Sequence, residues 1–155
     1  KAQCPVLVIK QPPPATLRWR RVLVATGGSP WSDAAVDHAI ALARAQRLEV
    51  CLLYVDQRRS RRMDSLFNLT SDGKNILALA EARAVAASVP YEARLAQGDV
   101  ATTILATATE QHCDVIVLGS RGLTGFKRLM LGSTSNAVSA TAPVPVLIVK
   151  RFLLP

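Results

Sequence analysis

The stretch from Asp114 to Thr134, DVIVLGSRGLTGFKRLMLGST, limits what this chain can become more than any other. Val115, Ile116, Val117 and Leu118 form a short continuous apolar run, the pattern of a strand buried on both faces of a parallel sheet. Gly119 ends it. Gly122 and Gly125 follow in a loop, and Gly132-Ser133-Thr134 opens the next helix. Glycine at such places admits positive φ and lets the backbone approach a ligand with no Cβ in the way. Gly132, Ser133 and Thr134 are expected to present free backbone N–H groups at a helix N-terminus, a place that favours anions. The Ser133 and Thr134 hydroxyls add donors, and Lys127 and Arg128 add positive charge. The chemistry that fits is phosphate binding, most simply of a nucleotide. A tight strand-to-helix connection, whose glycines serve only the turn, accounts for the same residues.

The rest of the chain alternates strands and helices. Strand patterns fall at Val22–Ala25, Glu49–Val55, Tyr91–Ala96, Val115–Leu118 and Val146–Val149. The first helix is expected to begin at Pro30, capped by Ser29, and to reach about Gln46 with Ala35, Ala39, Ile40, Leu42 and Ala43 on its apolar face. A third helix begins after its N-cap Asp99 and reaches about Gln111, and a fourth covers Ser133–Thr141. Between Asp56 and Gly73 the arginines, Ser60, Ser65, Thr70, Ser71 and Gly73 read as a long loop with at most one helical turn at Met63–Leu69. The second helix then runs from about Lys74 to Ser88. Such alternation implies a parallel, doubly wound sheet with helices on both faces.

The opening segment is a repeat. KAQCPVLVIK (residues 1–10) matches TAPVPVLIVK (Thr141–Lys150) at five of ten positions: Ala2, Pro5, Val6, Leu7 and Lys10 return 140 residues later as Ala142, Pro145, Val146, Leu147 and Lys150. That offset is about one domain of this class. Residues 1–10 are therefore expected to be the last strand of a preceding, similar domain, and QPPPA (Gln11–Ala15) to lie in a stiff polyproline linker over 11–17. The main domain spans 18–155. The strand Pro5–Ile9 is expected to lie antiparallel to Val146–Val149, from its own chain or from a neighbour.

Composition narrows the function. Half of the 155 residues are hydrophobic and 5% aromatic, as in an Ala/Val/Leu-rich α/β domain. No apolar run approaches the length of a membrane span. The three cysteines, Cys4, Cys51 and Cys113, form no CxxC; Cys51 and Cys113 lie in or beside apolar strands, so buried thiols in a reducing cytoplasm are the favoured reading for these two. The net charge of +8 suits an anionic partner. The cluster Arg58, Arg59, Arg61 and Arg62 has no interleaved aromatics, which argues against specific nucleic-acid binding; it reads as a solvated loop, with folding over a bound phosphate or docking a partner as the alternatives. There is no HExxH, no GxSxG and no GxxxxGK[ST]. His38 and His112 read as surface or structural residues, and Asp33, Asp37 and Asp56 as helix-start and loop charges. No base or nucleophile is arranged for chemistry.

Gly119, Gly122, Gly132 and Ser133 together resemble the G-2x-G-9x-G-(S/T) motif of the universal stress protein family, in its ATP-binding branch. Arg21–Ala43 is similar to that family's first strand and helix, Gly98–Gly122 to its third helix and fourth strand, and Ala142–Lys150 to its last strand. The likeness covers roughly residues 20 to 151. It implies a five-stranded sheet in the order 3-2-1-4-5, an adenine nucleotide alpha hydrolase-like fold. The crevice at the switch point between strands one and four would then hold the ligand.

Carried over residue by residue, the resemblance implies that Gly119, Gly122, Gly132, Ser133 and Thr134 hold phosphates. Leu118 would line the ribose or base, Val55 would meet the adenine through its backbone, and Ala25, Thr26 and Gly27 would complete the first loop. Gly27 departs from the family, which has aspartate there, so one carboxylate hydrogen bond to the nucleotide is missing. Thr26 could replace part of it. The implied ligand is ATP, with AMP or ADP as alternatives and Mg²⁺ carried on the nucleotide's own oxygens. The implied function is a stress-response sensor, in which nucleotide occupancy orders the glycine loop and changes the surface shown to partners. Fifth strands pair across a two-fold axis in this family. That implies a homodimer, or a pseudo-dimer with a preceding domain, through Val146 and Val149. A dimerisation module that binds no nucleotide, and a slow ATPase, are the rival readings.

Overall fold

The computed structural model describes residues 4–10, 18–57, 66–121 and 131–150, with side chains from 72 onward in the third stretch. The elements in chain order are β1 (Val6–Val8), β2 (Arg21–Ala25), α1 (Pro30–Gln46), β3 (Glu49–Asp56), α2 (Leu66–Ala86), β4 (Tyr91–Gln97), α3 (Val100–Glu110), β5 (Val115–Gly119), α4 (Ser133–Thr141) and β6 (Val146–Val149). They build an α/β fold around one mixed sheet ordered β1-β6-β5-β2-β3-β4.

The five strands from β2 onward are parallel and take the expected order. The sheet has six strands rather than five, because β1 adds itself to the β6 edge. It runs antiparallel, with Val6 opposite Ile148, Leu7 opposite Leu147 and Val8 opposite Val146. The partner is the chain's own last strand. Lys10 anchors the segment by donating its Nζ to the carbonyl of Ala140, near the end of α4. A cation is favoured at a helix C-terminus.

Period-two alternation divides the strands between two cores. Val22, Val24, Val50, Leu52, Val115 and Val117 face α1 and α2, where Ala35, Val36, Ala39, Ile40, Ala43, Leu77, Ala80 and Ala84 meet them. Leu23, Cys51, Leu53, Ile116, Leu118, Val146 and Ile148 face α3 and α4, against Ile104, Ala108 and Val138. Both faces of the central strands are thus dry, which explains their unbroken apolar runs.

Local signals set the helix starts. The side chain of Ser29 accepts from the Ser32 N–H and Ser32 Oγ accepts from the Ser29 N–H, a reciprocal cap with Pro30 at the first helical position. Asp99 caps α3 by accepting from the N–H and the hydroxyl of Thr102. These hydrogen bonds hold its carboxyl below the usual carboxylate range.

One expectation fails. The helix before β4 starts at Leu66, not near Lys74, so residues 66–73 are helical rather than loop. Gly73 misled the reading. A Cβ there would sit 2.7 Å from the Tyr54 ring and 3.0 Å from Leu95 Cδ1, so glycine serves a close helix-to-sheet approach, not a turn. The arginine cluster Arg58–Arg62 lies outside the described residues.

Gly119 at the end of β5 has a similar role. A Cβ at this position would lie 2.6 Å from the Trp31 carbonyl oxygen and 3.0 Å from the Ser32 nitrogen. Backbone cannot yield as a side chain can. Gly119→Ala is therefore expected to destabilise the fold by about 1–3 kcal/mol. Calorimetry should show a loss of roughly 2–4 °C in melting temperature for each kcal/mol. For β1, amide exchange within Val6–Val8 should be slower than at Lys10, and exchange at the free-chain rate would refute the pairing.

Candidate functional site

The carboxyl ends of β2, β3 and β5 open on one crevice. β2 and β5 are neighbours in the sheet but far apart in the chain, with Val24 opposite Val117. The chain therefore leaves this edge in opposite directions from adjacent strands, which opens the crevice between them. Thr26, the first residue beyond β2, donates its N–H to the Leu53 carbonyl of β3 at 2.8 Å and is 4% exposed. Ala25 and Val55 pack beside Leu118 on the α3–α4 side. All three stand at or next to the carboxyl ends of their strands.

The loop after β2 is small and open. Gly28 takes φ +74°, which favours glycine, and its N–H lies 3.4 Å from Thr26 Oγ1. Gly27 donates its N–H to Ser32 Oγ at 3.3 Å, and a Cβ built on it would meet nothing within 4 Å. The space for a side chain at Gly27 is thus present although the side chain is not.

The phosphate-side residues are tied to β5. Gly132 donates its N–H to the Ser120 carbonyl at 2.8 Å, and Ser135 Oγ donates to the Gly119 carbonyl at 2.6 Å. These bonds seat the first turn of α4 on the end of β5. They also correct one expectation: the Gly132 N–H is committed to Ser120, so it is not among the free donors. Ser133, Thr134 and Ser135 follow as the first three residues of α4, whose N–H groups have no intrahelical carbonyl to meet. The N-cap, Gly132, provides no side-chain hydrogen bond to them. Among the described residues no side chain caps the positive end of this helix. Gly122, Gly125, Lys127 and Arg128 lie outside the described residues.

Sequence reasoning missed three contributors. Ser135 is 3% exposed and is the hydroxyl that fixes α4 to β5. Arg121, two residues past Gly119, places its guanidinium carbon 5.9 Å from the centroid of the Trp31 ring. Asp56, read as a loop charge, ends β3 with 8% exposure, and its carbonyl accepts from the Gly98 N–H. A small polar residue in the third position of a helix was the available signal for Ser135. Trp31 and Arg121 meet only through tertiary structure.

Other chemistry-bearing residues lie elsewhere. His38 is exposed on α1 with Nδ1 2.8 Å from the Ala34 carbonyl, and His112 is exposed in the turn at the amino end of β5. Cys51 and Cys113 are buried. The Cys113 thiol is pushed far above the ordinary thiol range by its hydrogen bond with Cys51 and by burial, so it is no nucleophile near neutral pH. Among the described residues no group of three or more His, Cys, Asp or Glu could hold a metal ion. A shallow depression of about 580 Å³ between α1 and α2, lined by Ile40, Ala41, Arg44 and Arg83, is a groove between helices away from the crevice. No described helix is long and apolar enough to cross a membrane.

Comparison with known proteins agrees with this geometry. The model of the universal stress protein family matches residues 18–150. Universal stress protein YxiE of Bacillus subtilis is 35% identical over 147 residues, covering 85% of this chain and 99% of that protein. Among solved structures, MJ0577 of Methanocaldococcus jannaschii superposes with a TM-score of 0.78 at 26% identity, covering 89% of this chain and all of that one. A universal stress protein crystallised in complex with cAMP gives 0.71 at 29% identity, covering 86% and 98%. One from Archaeoglobus fulgidus gives 0.72 at 26% identity, covering 97% of this chain but 51% of that longer one. This chain belongs to the universal stress protein family.

Proposed function

We propose that this chain is a nucleotide-binding stress-response module that takes ATP, with AMP or ADP as alternatives, in the crevice at the switch point. The observation that supports the reading is the start of α4, which has no capping side chain among the described residues and is hydrogen-bonded onto the end of β5. Helix N-termini with free N–H groups attract phosphate. Ser133 and Thr134 would hold it through backbone and hydroxyl, with Gly132 leaving the approach open. Gly119 and Gly122 would keep the loop close to the ligand. Ala25, Val55 and Leu118 would form the apolar wall for base and ribose, and Thr26 and Gly27 would meet the ribose side. Mg²⁺ would enter on the nucleotide's oxygens. The relative solved with cAMP supports an adenine nucleotide as the ligand class. Occupancy would act as a signal by changing the surface around the crevice.

Two further features bear on assembly. β1 repeats the sequence of β6 and pairs with it antiparallel. We infer that β1 stands where the last strand of a second, similar domain would lie, making a pseudo-dimer through the edge that contains Val146 and Val149. The longer Archaeoglobus fulgidus relative, about twice the matched length, is compatible with such a pair. The missing carboxylate at Gly27 favours the second reading, a dimerisation module without nucleotide.

Calorimetric titration with ATP, with and without Mg²⁺, separates the two. The nucleotide reading expects saturable heat that is lost in Gly132→Val. Gly132 has φ −59° and ψ 151°, a backbone conformation open to valine, and the melting temperature of the variant without ligand separates lost access from lost folding. Absence of heat at millimolar ATP would leave the dimerisation module. Gly27→Asp should fold normally, because its Cβ enters open space. It is expected to tighten ATP binding by about 1.5–3 kcal/mol, the value of one hydrogen bond to a charged group.

A further inference from the structure

Among the described arginines, Arg21, Arg83 and Arg94 meet carboxylates, and Arg121 meets the Trp31 ring. The other four, Arg18, Arg20, Arg44 and Arg47, are exposed, and their side chains have no ion pair or hydrogen bond among the described residues. They are not scattered. Arg44 lies in the last turn of α1, and Arg47 is its C-cap residue. Arg18 and Arg20 lead into β2. Backbone ties the two segments together: the Glu49 N–H, two residues after Arg47, donates to the Arg20 carbonyl at 2.9 Å. All four therefore stand at the amino end of the sheet, the end opposite to the crevice.

The carboxylates at this end are engaged. Glu49 is held by Arg21 and Glu92 by Arg94, each at 2.6 Å, and Asp114 accepts from the backbone N–H groups of Arg20 and Arg21. Glu110 is exposed, but it ends α3 on the other face of the sheet. A helix C-terminus favours cations, which accounts for Arg44 and Arg47. It does not account for Arg18 and Arg20, which belong to no helix. Trp19 stands between these two in the chain, half-buried against the α1–α2 core. That is the interleaved aromatic which the Arg58–Arg62 cluster lacks. Arg44 also lines the groove of about 580 Å³ between α1 and α2, together with Ile40, Ala41, Ala45 and Ala87. The Asp37 carboxylate of that groove is taken by Arg83 at 3.2 Å. Unpaired cations thus adjoin an apolar hollow that can take a flat ring.

We propose that this end of the molecule is a docking surface for single-stranded nucleic acid, bound without regard to sequence. Arg18, Arg20, Arg44 and Arg47 hold backbone phosphates. Trp19 offers a stacking surface to one base, and the groove between α1 and α2 admits another. Guanidinium forks match phosphate oxygens better than an ammonium does. A duplex presents the same charge but keeps its bases stacked, so the indole and the groove favour the single strand. The proposal does not rest on the nucleotide reading, since the crevice and these arginines lie at opposite ends of the strands.

Fluorescence anisotropy with a labelled oligouridylate of about fifteen nucleotides tests it on the full chain. Affinity is expected to fall with salt at a log–log slope of about −2 to −3, as for three or four phosphates contacted on a single strand. Raising salt from about 50 to 200 mM then weakens binding roughly twenty- to fifty-fold. Arg44→Gln, and the double substitution Arg18→Gln with Arg20→Gln, should each flatten the slope by about 0.7 per arginine removed, at unchanged melting temperature. Lys74→Gln removes an exposed cation from the middle of α2 and should change neither affinity nor slope. Trp31→Phe leaves Trp19 as the sole indole, and the oligouridylate should quench its emission. An affinity indifferent to the arginine substitutions, an equal loss in Lys74→Gln, unquenched Trp19 emission, or equal affinity for a duplex of the same length would overturn the proposal. So would absence of oligouridylate binding at low salt beside arginine-dependent binding to phosphatidylserine vesicles, which would make the surface a membrane dock.

Discussion

The first turn of α1 lies against the end of β5 with no room for a carbon atom between them, at Gly119. Much of the crevice follows from that contact. It sets the height at which the loop after β5 emerges relative to the loop after β2. Ser120 then has its N–H on the Val149 carbonyl and its own carbonyl on the Gly132 N–H, so α4 begins where β5 ends. A larger residue at Gly119 would separate the helix from the sheet and move the crevice walls apart. The glycine of a phosphate-binding signature can thus act through packing between protein elements, apart from any contact with ligand.

The fold was legible where local signals agreed with tertiary ones. α4 and β6 have the boundaries read from sequence, because Gly132 and Pro145 bracket them and the strand is apolar throughout. The α1 start was legible for the same reason: Ser29, Pro30 and Ser32 are a cap in chemistry as well as in pattern. α2 was not, because polar residues and Gly73 before Lys74 carry loop propensity. There, packing of the helix on Tyr54 overrides propensity.

The candidate site was legible as a set of loops but less so as a set of donors. Backbone groups do not announce their partners in sequence, so the commitment of Gly132 to Ser120 could not be read. The meeting of Trp31 with Arg121 depends on β2 and β5 being neighbours, and no periodicity records a long-range pairing. The vacancy at Gly27 was visible as a residue type, but its openness was not. In a crowded loop neighbours would fill the space of a missing side chain, whereas a Cβ at this glycine would meet nothing within 4 Å.

β1 has a consequence for how the sheet ends. An exposed parallel edge at β6 would be a template for pairing with any extended chain. β1 covers it with three residues, Val6–Val8. Pro5 precedes it and has no N–H to donate, and Lys10 follows with its side chain drawn toward α4. The repeat of the last strand thus shields the backbone groups of β6 from pairing with unrelated extended chains.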